Sequence, residues 1–282
     1  MVRLSAFSDE ACADLQGQID ALKANHIPMT ELRSIDGTNI REISLADAKE
    51  YAARLAGEGI GVSAIGSPLG KVSIHEDLRA YEATIRHVCE LARLFGTERI
   101  RVFSFFEAYS ARTQVLAAMR RMVEIAAEYG VTLYHENEKG IYGDTAERVA
   151  DLRRNVEGLR FVYDPANFLQ VGEPAEKTLR EVFPFCTHFH MKDVDAESGE
   201  LVPVGYGSGC VGELLKRLPE DAILTLEPHL EAFAGYAAID GAPMKHRFQF
   251  DSGRQAFDCA AQALKNELIK AGYACTEGGF TK

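Results

Sequence analysis

Eight short apolar segments with strand character alternate with eight amphipathic helical patterns along this 282-residue chain, with no linker between them. Between the strands, apolar residues recur at steps of three and four, which is typical of a helix with one buried face. Strict alternation favours a parallel sheet, and eight units favour closure of that sheet on itself. We therefore predict an α/β fold, a single (β/α)8 TIM barrel over residues 1–275. The predicted strands are Arg3–Ser8, Thr30–Ile35, Val62–Ser67, Arg99–Phe106, Thr132–Glu136, Leu159–Asp164, Thr187–Lys192 and Ala222–Glu227.

Residues at the ends of the predicted helices agree with this alternation. Ser44 with Asp47 resembles a capping box, and Asp144 is placed to cap the helix that follows it. Gly59, Gly96 and Gly130 stand where helices should end before the next strand. An open, doubly wound sheet is the alternative fold. Its glycine-rich turn after the first strand is absent, because Phe7-Ser-Asp-Glu10 stands there.

Two segments depart from the alternation. Residues 228–251 follow the last strand and form the longest irregular stretch, a length that usually marks a lid, a binding segment or a subunit contact. A homo-oligomer is therefore left open. Residues 276–282 are predicted to form a frayed C-terminal tail.

Charge and cysteine usage narrow the class of protein. The chain has 31 basic and 42 acidic residues, a net charge of −11, which argues against nucleic acid or an anionic membrane as partner. Six scattered cysteines without a Cys-x-x-Cys pair fit a reducing compartment. The N-terminal residues lack a signal-peptide core, and no apolar stretch is long enough to span a membrane. We expect a cytoplasmic protein.

Four of the predicted strands end in a side chain that can bind a metal ion. These are Glu136, Asp164, His190 and Glu227, separated by 28, 26 and 37 residues, each consistent with one strand–helix–strand step. A parallel barrel keeps its chemistry at the carboxyl ends of its strands, where these side chains would meet. The sequence therefore predicts one metal site, and Glu136 is also a candidate acid or base.

The ligand set indicates which ion would bind. Three carboxylates and one imidazole, without a thiolate, suit Mn²⁺ or Mg²⁺ best, with Co²⁺ and Zn²⁺ as alternatives. Such an ion polarises a carbonyl and an adjacent hydroxyl of a bound sugar and makes the neighbouring C–H more acidic. The small molecule predicted as partner is therefore a sugar or a sugar phosphate.

Other polar residues flank this predicted site. His188, two residues before His190 on the same face of the strand, is expected in the barrel floor or directly behind the metal ligands. For Glu138, where the chain leaves the barrel, a solvated surface role stands beside a role in the site. Asp193 is expected to orient a neighbour. The run Gly205-Tyr-Gly-Ser-Gly209 could cradle a phosphate or serve as a flexible connector, and the connector is favoured. The candidate substrate-binding residues are Arg33, Asn137, Asn167, Lys192 and His229.

With these residues identified, the chain resembles the xylose isomerase-like barrel superfamily, in the sugar phosphate isomerase/epimerase group. The motifs that carry the resemblance are Tyr134-His-Glu-Asn137, Asp164-Pro-Ala-Asn167, His190-Met-Lys-Asp193 and Leu226-Glu-Pro-His229. The resemblance implies a (β/α)8 barrel with one divalent ion on Glu136, Asp164, His190 and Glu227. It also implies that Glu136 and Glu227 are the catalytic acid and base, exchanging a proton beside the carbonyl through a metal-stabilised enediolate. The related 3-epimerases have a second His where this chain has Asn167.

The predicted function is therefore that of a divalent-metal-dependent sugar isomerase or epimerase in carbohydrate metabolism. The alternative on the same barrel is a metal-dependent lyase or dehydratase, acting on a cyclic polyol ketone or a glycoside. An abasic-site endonuclease would need more metal ligands and a basic groove. A non-catalytic binding barrel is the remaining hypothesis.

Overall fold

The eight predicted barrel strands are present in the structure, a computed structural model that describes residues 1–231, 248–276 and 279–282. All of their pairings are parallel, and the hydrogen-bonded order is β1-β8-β7-β6-β5-β4-β3-β2. The strands are Arg3–Ala6 (β1), Met29–Leu32 (β2), Gly61–Ile65 (β3), Arg99–Val102 (β4), Thr132–Glu136 (β5), Arg160–Tyr163 (β6), His188–Met191 (β7) and Ile223–Leu226 (β8).

Helices follow the strands and cover the outside of the sheet. Their inward faces carry the apolar residues that recur every three or four positions, such as Leu15, Ile19 and Leu22, all buried. The helices are Leu15–Ala24 (α1), Leu45–Gly57 (α2), Leu78–Leu94 (α3), Arg112–Glu128 (α4), Ala146–Asn155 (α5), Pro165–Gln170 (α6), Ala175–Glu181 (α7), Val211–Lys216 (α8) and Gly253–Lys270 (α9). Among the described residues, no helix combines the length and the apolar character that a membrane crossing needs.

Side chains join β1 and β2, the two strands at the ends of the hydrogen-bonded ladder. Thr30 Oγ1 donates to the carbonyl of Ala6 at 3.1 Å and lies 2.9 Å from Ser8 Oγ. Across the interior, Ser5 Oγ and Ser63 Oγ share a hydrogen bond of 2.6 Å. The sheet is therefore a nearly closed barrel, and the (β/α)8 prediction is confirmed.

The ends of the helices follow the local signals with one exception. Ser44 caps α2 by accepting a hydrogen bond from the Asp47 amide, and the helix-ending Gly59, Gly96 and Gly130 have φ between 68° and 74°, as a left-handed cap requires. The predicted cap at Asp144 is wrong. Thr145 caps α5, and Asp144 instead accepts hydrogen bonds from Tyr109 and Arg148.

Three segments differ from the sequence prediction or extend beyond what the structure describes. β4 ends at Val102, because the amides of Phe103, Phe105 and Phe106 bond to the segment 69–72 and leave the barrel ladder. Of the predicted tail 276–282, the described residues, Thr276 and 279–282, are not frayed. Ala274–Thr276 pairs with Gly279–Thr281, and Phe280 exchanges backbone hydrogen bonds with Val2. Of the predicted loop 228–251, residues 228–231 and 248–251 lie outside helices and strands, and residues 232–247 lie outside the described residues.

Candidate metal centre

Four side chains from consecutive strand ends converge at the mouth of the barrel. Glu136 is the last residue of β5, Asp164 follows β6 directly, His190 lies in β7, and Glu227 follows β8 directly. One ligand atom from each lies within 4.8 Å of the others. All four residues are at most 3% exposed. The four positions that the sequence places at separate strand ends are thus neighbours in space.

The turn after β6 fixes Asp164 in this cluster. Asp164 caps α6, with Oδ1 accepting a 2.9 Å hydrogen bond from the Asn167 amide, and Pro165 occupies the first helical position. Asn137 clamps the Asp164 backbone by donating to its carbonyl at 2.9 Å and accepting from its amide at 3.0 Å. Asp164 Oδ2 accepts no hydrogen bond from any described residue and lies 3.0 Å from the ammonium of Lys192.

The imidazole of His190 lies between two groups of carboxylates. Its Nδ1 is 2.9 Å from Glu136 Oε1 and 3.2 Å from Glu227 Oε2, while its Nε2 is 3.2 Å from Glu31 Oε2. Burial lowers the pKa of His190, but the surrounding carboxylates outweigh burial and raise this pKa well above the ordinary value. The ring therefore sits where positive charge is strongly favoured.

Each of the two glutamates has one oxygen near His190 and the other near an arginine. Glu136 Oε2 accepts a 2.6 Å hydrogen bond from Arg101, and Glu227 Oε1 lies 3.4 Å from Arg33 Nη1 and 3.3 Å from His229 Nε2. Burial raises the pKa of Glu136, yet His190 and Arg101 bring it down to about 2. Lys192, His229 and His190 likewise hold the pKa of Glu227 well below its ordinary value, against the effect of burial. Both carboxylates are held ionised.

Asp164 differs from the two glutamates in its electrostatic surroundings. Burial, together with the charges of Glu227 and Glu136, raises its pKa to about 7, although Lys192 opposes the shift. The carboxylates of the centre outnumber its lysines and arginines by seven to four. The acidic members are Asp9, Glu10, Glu31, Glu136, Glu138, Asp164 and Glu227, and the basic members are Arg33, Lys71, Arg101 and Lys192. This donor set, with an oxygen of Asp164 lacking a hydrogen bond, fits a divalent ion.

Arg33, a predicted substrate-binding residue, already contacts three carboxylates of the protein itself. It forms a two-pronged pair with Asp9, with Nε–Oδ2 at 2.9 Å and Nη2–Oδ1 at 3.1 Å, and Nη2 reaches Glu10 Oε1 at 3.2 Å. Its guanidinium also lies 4.5 Å from the centre of the Phe7 ring. Arg33 therefore contacts the Glu227 side of the centre and ties it to the loop after β1.

The other predicted flanking residues lie in or beside the centre. Asn167 Nδ2 donates to Glu136 Oε1 at 3.2 Å, and Lys192 Nζ lies 3.5 Å from Glu227 Oε2. The solvated surface role considered for Glu138 is wrong. Glu138 is 8% exposed because it pairs with Lys71 at 3.2 Å, and Lys71 packs over the Phe103 ring.

The glycine-rich run after β7 surrounds a carboxylate of the protein itself. Asp193 Oδ2 accepts hydrogen bonds from the amides of Gly205 and Gly207, both at 3.0 Å, and Oδ1 accepts one from Gly209 at 2.9 Å. A Cβ on Gly207 would lie 2.4 Å from Asp193 Oδ1, so the loop closes tightly on that carboxylate. These amides are already used, and the phosphate-cradle interpretation of the loop is wrong.

Several buried residues that contact the centre were not identified from the sequence. Asp9 and Glu10 follow β1, Arg101 lies inside β4 between Ile100 and Val102, and Glu31 lies inside β2 beside Leu32. For the last two, the available signal was a charged residue inside a predicted strand, since such a charge is buried only with a partner. Glu31 contacts both His188 and His190, which places His188 one layer below the cluster.

With the fold and the centre described, the chain can be assigned to a family. A model of the xylose isomerase-like TIM barrel family matches residues 21–266, so this chain belongs to that family. No curated protein matches the sequence.

Solved structures show the same barrel. L-ribulose 3-epimerase is 15% identical, with a TM-score of 0.74 over 96% of each chain. The probable 3-DHS dehydratase AsbF from Bacillus anthracis is 16% identical, with a TM-score of 0.71 over 94% of this chain and 99% of its own. A xylose isomerase-like TIM barrel protein from Mycobacterium smegmatis, in complex with magnesium, is 14% identical, with a TM-score of 0.68 over 96% and 97%. At these identities the likeness is one of fold.

Proposed function

We propose that this protein is a divalent-metal-dependent sugar isomerase or epimerase that exchanges a proton at the carbon next to a carbonyl. The observation that carries the proposal is the convergence of Glu136, Asp164, His190 and Glu227 within 4.8 Å at the carboxyl ends of β5 to β8. Family membership and an epimerase among the structural neighbours support it. The absence of a disulfide among the six cysteines supports a cytoplasmic location.

The same four residues are proposed as ligands of one ion. Three carboxylates and an imidazole favour Mn²⁺ or Mg²⁺ over Co²⁺ and Zn²⁺, and the structural neighbours include one that holds magnesium and one that holds zinc. When bound, the ion would polarise the carbonyl and the adjacent hydroxyl of the substrate, which makes the C–H between them more acidic.

Glu136 and Glu227 are proposed as the acid and the base. Both lie against His190 Nδ1, Glu136 through Oε1 at 2.9 Å and Glu227 through Oε2 at 3.2 Å. Arg101 and Arg33 hold the second oxygen of each and favour the ionised form that accepts a proton. A sugar lying between the two side chains can lose a proton to one carboxylate while that carboxylate is ionised. It can gain a proton on its other face from the second only when the second is protonated, which inverts the carbon. Return of the proton by the first carboxylate to the neighbouring carbon, with a proton shift between the two oxygens, would instead move the carbonyl.

The polar residues around the two glutamates are proposed to bind the substrate. Asn167 and Asn137 are neutral hydrogen-bonding groups beside Glu136, whereas Lys192 and His229 border Glu227 and Arg33 supports it. Amides and charged donors of this kind orient sugar hydroxyls.

A free sugar is the form of substrate that we propose. The loop amides that could bind a phosphate are occupied by Asp193, and the described carboxylates of the centre outnumber its fixed cations. A phosphate dianion beside these carboxylates would meet repulsion even with an ion bound.

Solvent-deuterium exchange tests the proposed reaction. The purified protein with Mn²⁺ is incubated in D₂O with a panel of aldoses and ketoses, together with their phosphorylated forms. We expect deuterium at the carbon next to the carbonyl of a free sugar, and a loss of this exchange in Glu227→Gln. An absence of exchange across the whole panel would contradict the proposal, and exchange of phosphorylated sugars alone would contradict its substrate class.

A β-elimination is the second candidate, and Lys192 is the observation that favours it. Its ammonium is buried, 3.0 Å from Asp164 and 3.5 Å from Glu227, where it can stabilise an oxygen that leaves the carbon next to the proton-abstraction site. A lyase would release water or an alcohol from a polyol ketone or a glycoside, and mass spectrometry of the products distinguishes this loss from the unchanged mass of an isomer.

A further inference from the structure

Glu31 is a buried carboxylate that the proposed reaction does not use. It lies in the middle of β2, is 1% exposed, and points across the barrel to β7 and β8. A buried charge of this kind persists only where several donors satisfy it. Its partners therefore indicate what it does.

Three donors surround Glu31. His188 Nε2 lies 2.9 Å from Oε2, Thr225 Oγ1 donates to the same oxygen at 2.9 Å, and His190 Nε2 lies 3.2 Å from it. His190 Nε2 is also 3.3 Å from Oε1. Glu31 is thus an acceptor held from two strands, β7 and β8.

The contact places Glu31 at the nitrogen of His190 that faces away from the cluster. Glu31 lies at Nε2, which leaves Nδ1 as the nitrogen directed at the cluster. Nδ1 is the nitrogen that faces Glu136 at 2.9 Å and Glu227 at 3.2 Å. The imidazole is therefore oriented and polarised from below the cluster.

We propose that Glu31 is a positioning residue that holds His190 with Nδ1 directed at the metal ion. The proposal rests on the proposed function for the ion itself. Carboxylates that hold a ligating imidazole in this way typically change metal affinity by about 10–100-fold when they are removed. His188 and Thr225 serve this arrangement by fixing the carboxylate of Glu31.

The competing role for Glu31 is that of a ligand. Glu31, His188 and His190 also offer atoms within 4.8 Å of one another. An ion bound there would have to displace the contacts that Glu31 already makes with His188, His190 and Thr225. The two roles differ in stoichiometry, because a positioning residue leaves one ion per chain and a ligand adds a second.

The test is a calorimetric titration of metal-free protein with Mn²⁺, together with thermal unfolding of the metal-free form. For Glu31→Gln, which keeps the shape and removes the charge, we expect binding about 10–100-fold weaker at one ion per chain. Thr225→Val removes one donor to Glu31, and we expect a smaller loss in the same direction. Tyr273→Phe is the matched control. It removes a buried hydrogen bond to the Leu215 carbonyl outside the barrel interior, and its Kd should equal that of the wild type.

Several outcomes would overturn the proposal. If Glu31→Gln lowers the melting temperature but keeps the wild-type Kd, the role of Glu31 is structural. If the wild type binds two ions and Glu31→Gln binds one, Glu31 is a ligand. Should Glu31→Gln fail to fold, a wild-type Kd in Thr225→Val contradicts the proposal. If the wild type binds one ion but exchanges no deuterium, the proposed reaction is contradicted, while the measured effect of Glu31→Gln on metal affinity still tests the role of Glu31.

Discussion

The two sides of the centre hold their glutamates differently. On the Glu136 side, Arg101 donates to Glu136 at 2.6 Å, and its other described acceptor is the carbonyl of Gly66. On the Glu227 side, Arg33 is shared among Asp9, Glu10 and Glu227, and its contact with Glu227 is the longest of the three at 3.4 Å. Arg101 forms an ion pair with one carboxylate, that of Glu136. Arg33 pairs with three carboxylates, and two of them, Asp9 and Glu10, lie in the loop after β1.

The two arginine–glutamate pairs therefore differ in what each arginine stabilises. Losing Arg101 would affect mainly Glu136, which keeps His190 as a partner. Losing Arg33 would take the guanidinium away from two further buried carboxylates, Asp9 and Glu10, although Glu10 also contacts His229. We therefore expect the Glu136 side to be sensitive mainly in activity, and the Glu227 side to be sensitive in both activity and stability.

The largest effect should come from removing either proton-transferring carboxylate. Glu136→Gln and Glu227→Gln keep the side-chain shape but cannot accept the proton, so deuterium exchange should fall on the order of 10²–10⁴-fold in each. Glu136→Gln leaves Arg101 without its carboxylate, while Glu227→Gln leaves Arg33 paired with Asp9 and Glu10. Neither change removes an arginine from Asp9 and Glu10, so both variants should lose less unfolding free energy than Arg33→Met.

The control for these variants is Glu58→Gln, an exposed glutamate paired with Lys23 on the surface. It should change the unfolding free energy by less than about 0.5 kcal/mol and leave exchange intact. Wild-type exchange in either site variant would show that its carboxylate does not transfer the proton.

The next largest effect should distinguish Arg33 from Arg101 by the unfolding free energy that each contributes. Arg33→Met should lower the unfolding free energy by about 3–5 kcal/mol, because it takes the guanidinium away from buried Asp9 and Glu10. Arg101→Met should cost less stability, since Glu136 retains His190, yet it should slow deuterium exchange. Urea unfolding and exchange rates of both variants provide the measurement. A larger stability loss in Arg101→Met than in Arg33→Met would contradict the comparison.

The smallest effect belongs to the neutral contact on the Glu136 side. Asn167→Ala removes hydrogen bonds from Nδ2 to Glu136 Oε1 at 3.2 Å and to the Asn137 carbonyl at 2.9 Å. We expect a loss of about 1 kcal/mol in unfolding free energy, measured by urea titration. The Asn167 amide that Asp164 caps is retained, so the start of α6 should survive. A loss as large as that of Arg33→Met would show that this side is structural as well.

Much of the barrel could be predicted from the sequence because its signals are local. β5 was predicted at its observed bounds, Thr132–Glu136, and the periodic apolar residues of α1 are buried. β4 was predicted too long because Phe103 to Phe106 have strand composition. Their amides bond to the segment 69–72, a long-range pairing that composition does not encode. The C-terminal hairpin on Val2 was missed for the same reason.

The candidate centre was predictable where a polar residue ends an apolar strand. Glu136, Asp164 and Glu227 follow this pattern, and parallel strands bring such ends together. Glu31 and Arg101 lie inside strands. Arg101 contacts Glu136 on the neighbouring strand, 35 residues along the chain, whereas the contact of Glu31 with His190 spans 159 residues and depends on barrel closure. The occupancy of the glycine-rich loop by Asp193 likewise depends on a turn geometry that the glycines alone do not specify.

Anomalous diffraction from crystals grown with Mn²⁺ tests the central claim most directly. The account predicts one strong peak at the manganese edge, with oxygens of Glu136, Asp164 and Glu227 and His190 Nδ1 at roughly 2 Å from it. A peak at a different group of residues, or no peak in Mn²⁺-saturated crystals, would contradict the assignment of these four side chains to a metal ion.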